Sequence, residues 1–407
     1  MNRQSIRERL ELRHVTKEDL TQFNALLRYA FQVTDKELKR IGWDEEEIRQ
    51  SKSPILDRAN VLGWFDGDKL ASQIAVYPMR VNVHGAIYDM GGVTGVATYP
   101  EYTKMGLMHA LVSRALQEMR ERGQSISLLY PYSIPFYRKM GWEIISDKMS
   151  YIVKDSQLPR YVDVPGMVER VDDRHPDYLG LHERYTLQRH GMLLRDDLAW
   201  AEYWRWDTDD ITVALYYDAD HVAQGYVVYL LEEDVFKIKE LVYMNQEARH
   251  GLWNYIGAHF SMIERVRGYN YTNEPMAFLL EDSEIYESIR PYFMARVVDV
   301  EQFLLAYPFA SRPSGRKLHL AVEDPMAPWN DESFCLTWDD DGNTLCQRGS
   351  TDGLNVSLSV QTLCTMFMSY KRPSYLRRIE KLAASDTAIR LLESLIPLEQ
   401  PYFSDYF

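Results

Sequence analysis

The chain has 407 residues, of which 46% are hydrophobic and 26% are charged, and its formal net charge is −14. At about 150 residues per domain this length predicts two or three domains, and the composition excludes a chain that is disordered throughout. The excess of carboxylates argues against a nucleic-acid partner, because binding a phosphate backbone requires Lys and Arg side chains that displace counterions. The charge is compatible with a small cationic substrate.

The spacing of cysteines and histidines gives no sign of a disulfide framework or a metal site. The three cysteines, Cys335, Cys346 and Cys364, are odd in number and form no C-x-x-C pair. His182 and His190 lack the H-E-x-x-H spacing of a zinc site. We therefore predict no metal.

The N-terminal residues and the longest uncharged run favour a cytoplasmic protein without a membrane partner. The first nine residues are charged and lack the apolar segment of a signal peptide. Residues 353–370 carry no charge but are too polar to cross a bilayer.

The first part of the chain predicts a mixed sheet with helices. A strand around Leu10 and Leu12 is followed by a capping pair, Thr16 and Asp19, and then by apolar residues at helical spacing up to Phe31. A second, acidic helix is predicted at 44–50. The apolar period then changes to two, which predicts strands at 62–65, 70–76, 79–83 and 91–98.

The segment that follows predicts a long amphipathic helix and a buried strand. Apolar residues recur from Met108 to Met119 at helical spacing, and Gly123 can end this helix. A strand is predicted at 125–130 and a short helix at 135–140, and the polar, proline-containing residues 155–166 are interpreted as a linker.

The remaining chain partly repeats this order and then changes. Strands at 213–217, 223–231 and 235–242 and a helix at 252–264 follow the element order of the first part. The tail alternates apolar residues at 318–322 and 334–338, with a hairpin turn at Asp341-Gly342. Three helices are predicted to close it, near 359–368, 374–383 and 386–396.

The segment Val93–Trp142 contains the strongest candidate for chemistry. A strand, a loop containing Lys104 and Gly106, and a long helix form the outline of an anion site, because a helix N-terminus offers unpaired amides and partial positive charge. The loop is neither a P-loop nor a dinucleotide fingerprint. An ordinary strand-to-helix turn remains the alternative.

With the later segment Phe136-Tyr137-Arg138-Lys139-Met140-Gly141-Trp142, this order resembles the acetyl-CoA core of the GCN5-related N-acetyltransferases (GNAT). A degenerate second copy and a tail similar to sterol carrier proteins make the whole chain similar to the enhanced-intracellular-survival (Eis) type. This resemblance implies an α+β fold of two tandem GNAT-like domains, at 1–156 and 157–291, and a sterol-carrier-like domain at 292–407. In the second copy, Glu247–Leu252 stands at the phosphate-loop position without the glycine pattern and is interpreted as structural.

The resemblance also implies roles for single residues. Backbone groups of Val96, Ala97 and Thr98 would pair with the pantetheine arm, with the Val96 amide a candidate to polarise the thioester carbonyl, and Tyr132 and Ser133 would line the cofactor. The family's loop, [RQ]-x-x-G-x-[GA], is represented by Thr103 to Met108, which leaves more of the phosphate binding to backbone amides and Lys104. The pyrophosphate would be held by Lys104, Met105, Gly106, Leu107, Met108 and His109.

The same resemblance implies a Tyr acid and a terminal carboxylate base. Tyr137 would protonate the leaving thiolate, and Phe407 would supply its α-carboxylate as the base. Four aromatic residues within 402–407 favour an anchored terminus, since burying each contributes roughly 1.5–3 kcal/mol. Asp405 is the rival base.

The expected activity is therefore acetyl transfer from acetyl-CoA to a primary amine by direct attack. The amine would be polyamine-like, aminoglycoside-like or a lysine side chain, and the assembly a homohexamer by resemblance. Two alternatives are a lipid- or CoA-binding module without activity and an aminoacyl-tRNA-dependent peptide ligase. The net charge of −14 argues against the ligase.

Overall fold

The computed structural model describes residues 6–34, 36, 53–205, 207, 210–271 and 274–407. The predicted acidic helix at 44–50 lies outside these residues. Strands and helices form three groups, each built on its own β-sheet. Within the described ranges, no helix is long and apolar enough to cross a membrane.

The strands of the three sheets are, in chain order, β1 Leu10–His14, β2 Asn60–Asp66, β3 Lys69–Val83, β4 Ala86–Thr98, β5 Ile126–Leu129, β6 Glu143–Ile144, β7 Asp147–Lys154, β8 Met167–Val171, β9 Leu193–Leu194, β10 Thr212–Tyr217, β11 Ala223–Glu232, β12 Val235–Tyr243, β13 Arg265–Asn270, β14 Tyr286–Pro291, β15 Met294–Val297, β16 Lys317–Glu323, β17 Ser333–Trp338, β18 Thr344–Arg348, β19 Leu354–Ser359 and β20 Leu382–Ala384. The helices used below are α1 Leu20–Phe31, α2 Ser53–Arg58, α3 Leu107–Glu121, α4 Ile134–Lys139, α5 Pro176–Gln188, α6 Asp197–Trp204, α7 Gln246–Gly257, α8 Val300–Ala306, α9 Val360–Phe367, α10 Pro373–Arg378 and α11 Asp386–Leu395.

The first sheet has the order β1-β2-β3-β4-β5-β15-β6, and β9 joins it along β3. Helix α1 covers one face of this sheet and helix α3 covers the other. Side chains of β3 point to both faces and pack in the apolar cluster of α1 or in that of α3. The strands predicted at 70–76 and 79–83 are one strand, because Tyr77 and Pro78 stay in register with Gly92 and Gly91 of β4. The predicted capping pair is present, with the amide of Thr16 donating to the Asp19 carboxylate over 2.9 Å, but it caps a 3-10 turn, Lys17–Asp19, that directly precedes α1.

The second sheet has the order β14-β7-β13-β12-β11-β10-β8. Its helix α7 begins at Gln246 and ends at Gly257, so the prediction of 252–264 was wrong at both ends. The reason is a cap that the apolar period does not reveal, since the Asn245 side chain accepts a hydrogen bond from the amide of Ala248. The segment from Glu247 to Leu252 therefore lies inside a helix.

The first two sheets exchange strands. Strand β7, which follows the first group, pairs with β13 and β14 of the second sheet. Strand β15, which follows the second group, pairs with β5 and β6 of the first sheet. The chain therefore enters the second sheet before residue 156 and returns to the first sheet after residue 291. The predicted domain boundaries at these two residues stay predictions.

The third sheet has the order β18-β17-β16-β19-β20 and includes the predicted hairpin, whose turn has Gly342 at φ 80°. Helix α10 ends at Arg378 rather than at the predicted 383, because Glu380 adopts φ 60° and the chain then enters β20. The inner face of the sheet carries side chains without accessible surface, namely Leu318, Leu320, Phe334, Leu336 and Val356. These side chains therefore pack directly against their neighbours on this face of the sheet.

Candidate active site

A groove opens in the first sheet where β4 and β5 separate. The two strands pair in parallel only from Met90 to Gly92 of β4. From Val93 to Thr98, β4 has no strand neighbour on the β5 side within the described part of the chain. A bulge disturbs the β3–β4 register here, and Gly95 takes up φ 61°. The groove leads into a cavity of about 940 Å³ that Val96, Ala97 and Thr98 line.

The start of α3 forms one end of this cavity. Gly106 is the N-cap residue at φ 74°, a conformation that glycine adopts without strain. The amides of the first helical turn, at Leu107, Met108 and His109, have no acceptor within a helix that starts here. The indole of Trp64 donates to the Leu107 carbonyl over 3.1 Å and so fixes the helix start. Lys104 lines the same end of the cavity.

Met105 is the one predicted pyrophosphate residue whose side chain does not line the cavity. It is buried in a small cluster with Leu10, Ala71, Tyr102 and Leu107. Its side chain therefore anchors the loop to the sheet, and only its backbone remains available to a ligand.

Arg7 is a cation at this loop that the sequence analysis did not identify. Its Nη1 atom lies 3.4 Å from the position that a Cβ atom on Gly106 would occupy. The contact joins residues far apart in sequence, and no motif in the charged N-terminal segment points to it. Arg7 and Lys104 together give the loop two cationic side chains.

Tyr137 lies on the cavity wall opposite β4. It belongs to α4, where its amide donates to the Ser133 carbonyl over 3.2 Å. Burial raises the pKa of Tyr137 to about 12, so the hydroxyl stays protonated throughout the neutral range. Ser133 and the exposed Tyr132 also line the cavity, and their contact with the cofactor stays a prediction.

Phe407 closes the other end of the cavity. Its ring is 8% exposed and packs edge-on against Tyr77 and Phe293, with centroid distances of 6.3 and 5.3 Å. Gly92 makes room for this ring, since a Cβ atom there would lie 3.0 Å from it. The last residue is thus held against the central strand rather than extending into solvent.

Polar contacts hold the residues before Phe407. The Tyr402 amide donates to the His190 carbonyl over 2.7 Å, and the Tyr292 hydroxyl donates to the Asp405 carbonyl over 2.7 Å. The Ser404 hydroxyl donates to Glu240 over 3.0 Å. These contacts tie the tail to elements of the second group, so the terminus lies between the first two sheets.

Asp405, the rival base, faces a different environment. Its Oδ1 atom lies 2.6 Å from Nε of Arg195, and both side chains are almost fully buried. The same guanidinium binds both oxygens of Glu240, over 2.8 and 3.1 Å. The Asp405 carboxylate therefore anchors the tail and does not line the cavity.

Glu202 is a further group that the sequence did not single out. It comes from α6, lines the cavity near Tyr406 and Phe407, and accepts a hydrogen bond from the Tyr77 hydroxyl over 2.9 Å. It also forms an ion pair with Arg205. Nothing in the local sequence of α6 distinguishes this glutamate from a surface residue.

The histidines excluded as ligands have structural partners. His182 hydrogen-bonds the Tyr226 hydroxyl, and His190 hydrogen-bonds the Met368 carbonyl. In the part of the chain that the structure describes, no three His, Cys, Asp or Glu side chains are grouped in a way that could hold a metal ion.

Family models match most of the chain. Two acetyltransferase (GNAT) domain models match residues 11–145 and 191–297, and a sterol carrier protein domain model matches residues 300–404. An uncharacterized N-acetyltransferase from Streptomyces griseus is 21% identical over 316 residues, which are 70% of this chain and 74% of that protein. Another from Streptomyces avermitilis is 24% identical over 352 residues, which are 80% of this chain and 82% of that protein.

Solved structures share the complete architecture. A probable N-acyltransferase from Enterococcus faecalis superposes with a TM-score of 0.89 at 26% identity and covers 98% of this chain and 100% of its own. Eis1 from Mycobacterium abscessus superposes with a TM-score of 0.80 at 20% identity, over 98% and 100% of the two chains, and this likeness concerns the fold.

These matches confirm the predicted fold class and the resemblance on which it rested. The two GNAT matches together span more than half of the chain, and their order before a sterol carrier domain is that of the superposed structures. The chain therefore belongs to the GNAT acetyltransferases and has the three-domain fold of the Eis-like type.

Proposed function

We propose that this acetyltransferase moves an acetyl group from acetyl-CoA to a primary amine in the cavity between β4, α3, α4 and the chain end. The observation that carries the proposal is the composition of that cavity. Its lining combines Lys104 and the first residues of α3 with the part of β4 that has no strand neighbour on the β5 side in the described chain, and with Tyr137 and Phe407.

The residues of the groove fit acetyl-CoA. The free edge of β4 can bind the pantetheine amides as an added strand would. The first amides of α3, with Lys104 and Arg7, suit the pyrophosphate. Acetyl-CoA would supply the acetyl group as a thioester.

Phe407 and Tyr137 would handle the two protons of the transfer. The α-carboxylate of Phe407 would accept a proton from the ammonium group of the acceptor, which frees its nitrogen lone pair for attack on the thioester carbonyl carbon. The Val96 amide would donate a hydrogen bond to the carbonyl oxygen. As the C–N bond forms and the C–S bond breaks, Tyr137 would donate its proton to the sulfur. The second proton of the attacking nitrogen would pass to the Tyr137 oxygen, and the terminal carboxylic acid would release its proton to solvent, so that both groups return to their starting states.

The acceptor would be a small primary amine of the polyamine, aminoglycoside or lysine type. Glu202 and Phe407 both line this cavity, so an acidic side chain and the last residue of the chain would face an ammonium group there. A thiol-release assay with acetyl-CoA and a panel of such amines tests the proposal. Acetylation of at least one class of amine is expected, and the absence of thiol release with every class would reject the proposed function.

A homohexamer stays a prediction, which sedimentation can test.

Replacing Gly106 with Glu is expected to weaken acetyl-CoA binding roughly tenfold or more, because the new carboxylate repels the phosphates and pairs with Arg7. Calorimetric titration with acetyl-CoA measures the effect. Gly123→Glu is the matched control, since Gly123 has nearly the same φ at the other end of α3 and open space around it. Equal affinities of the two variants would mean that the phosphates bind elsewhere.

Tyr137→Phe is expected to lower kcat roughly a hundredfold while acetyl-CoA affinity changes little, because only the proton donor is removed. Steady-state kinetics and calorimetry separate the two quantities. Tyr132→Phe is the control, since Tyr132 lines the same cavity but is 81% exposed at its mouth. An unchanged kcat in Tyr137→Phe would remove this residue from the mechanism.

A further inference from the structure

A second cavity adjoins the candidate active site. It has a volume of about 380 Å³ and lies against β7, β12 and β13 of the second sheet. Glu202 and Tyr406 line both cavities, so the two spaces meet at these side chains. A molecule whose amine lies near Phe407 would reach the second cavity by passing the Tyr406 side chain, which is 49% exposed.

A half-buried lysine, Lys148, lines the second cavity. Lys148 on β7 has its Nζ 3.9 Å from the ring centroid of Tyr269, and the rings of Tyr271 and Tyr292 lie 5.5 and 5.2 Å away. Among the residues that the structure describes, Lys148 has neither an ion pair nor a hydrogen bond. Three aromatic rings surround its ammonium group, but none of them neutralises its charge.

The other ionisable side chains of this cavity already have partners. Lys239 pairs with Asp207, and Lys237 pairs with Glu232. Glu202 pairs with Arg205 and accepts from Tyr77. Among the described residues that line this cavity, the side-chain charge without a partner is that of Lys148.

The surroundings make the ammonium form of Lys148 costly. Burial lowers the pKa of Lys148 to about 8, and the positive charges of Arg267 and Lys239 act in the same direction. A bound anion would offset both effects. The position is therefore prepared for a negatively charged group rather than for a further cation.

We propose that the acceptor amine also carries an anionic group, a carboxylate or a phosphate, which binds Lys148 in the second cavity while the amine lies beside Phe407. The inference rests on the proposed function and, among its three acceptor types, favours lysine-like amines that also carry an anionic group over polyamines and aminoglycosides. Lys148 is a specificity-determining residue in this account and takes no part in the proton transfers.

Substrate pairs that differ only in charge test the inference. The probes are a series of ω-amino acids of increasing chain length, together with their carboxamides and the corresponding ω-aminoalkyl phosphates. The best acid is expected to have a KM roughly tenfold to a hundredfold below that of its carboxamide, with similar kcat. A still lower KM for the phosphate would identify phosphate as the anionic group.

Two variants assign the effect to Lys148. Lys148→Met is expected to raise the KM of the acid to that of the carboxamide and to leave carboxamide kinetics unchanged. Lys237→Met is the matched control, because Lys237 lines the same cavity but is paired with Glu232, and it is expected to retain the preference. A structural role of Lys148 would affect both substrates equally.

The inference is overturned if the wild-type protein gives equal KM values for the charged and neutral member of every pair, a comparison that needs no variant to fold. It is also overturned if the preference persists in Lys148→Met. Acetylation of the carboxamides without any preference would leave the proposed function intact. If no probe is acetylated, the inference is tested by calorimetric titration with the N-acetylated acid and with its carboxamide. Equal affinity for the two compounds, or no binding of either, would contradict the inference.

Discussion

Adding one glycine after Phe407 is expected to lower kcat roughly a hundredfold to ten-thousandfold, the range that a general base contributes. The extension replaces the α-carboxylate with a peptide carbonyl and moves the charge by one residue. The Phe407 ring, which packs on Tyr77 and Phe293, keeps its place, so the melting temperature is expected not to change. Thiol release under saturating substrates measures the effect.

A semisynthetic chain that ends in a C-terminal amide removes the charge without adding a residue and is the matched control. The amide and the glycine extension are expected to lose activity to a similar extent while binding acetyl-CoA normally. Full activity of either protein would show that another group removes the proton.

Arg195→Met is expected to lower the free energy of unfolding by about 3–5 kcal/mol, because it leaves two buried carboxylates, Glu240 and Asp405, without their cation. Chemical denaturation at neutral pH measures this loss. Arg160→Met is the matched control, since the Arg160–Glu281 pair is largely exposed and contributes about 1 kcal/mol or less.

The loss in Arg195→Met is expected to shrink in acid. Burial would raise the pKa of Glu240, but Arg195 overrides this and holds it at about 2, against 4.5 for an unperturbed glutamate. Glu240 therefore contributes stability above pH 4.5 that disappears as the pH falls towards 2. The variant lacks this contribution, so its difference from wild type is expected to be smaller at low pH. An equally large deficit at every pH would contradict this account of the cluster.

The same substitution tests how the tail is held. Arg195 connects Asp405 to Glu240, and Ser404 binds the same Glu240 carboxylate. Loss of the guanidinium is therefore expected to loosen the terminus and to reduce kcat even where the protein remains folded. The acetyl-CoA site at α3 is remote from this cluster in the chain and is expected to keep its affinity.

Local patterns predicted the elements whose signal is local. The apolar repeat of α3, the Thr16–Asp19 capping pair before α1 and the Asp341-Gly342 hairpin are encoded within a few neighbouring residues, and the structure contains them. Helix α7 was misplaced because its start depends on one capping side chain, Asn245, and not on the apolar period.

Features that depend on distant parts of the chain were not predictable in this way. No local sequence pattern indicates that β7 and β15 are exchanged between the first two sheets. The same holds for the approach of Arg7 to Gly106. Glu202 and Lys148 gain their positions only because α6 and β7 lie against the chain end. The order of elements and the family resemblance predicted where the candidate site lies. The charged residues Arg7, Glu202 and Lys148 are brought to it or to the adjoining cavity by tertiary contacts, which the sequence does not reveal.

The most direct test of the central claim is a crystal structure with a thioether analogue of acetyl-CoA bound. The account predicts its pyrophosphate at the amides of Leu107 to His109, its pantetheine along β4 from Val96 to Thr98, and its sulfur within hydrogen-bonding distance of the Tyr137 hydroxyl. The α-carboxylate of Phe407 should face the acetyl-bearing end. An analogue bound in the second sheet, or a terminal carboxylate turned away into solvent, would contradict the account.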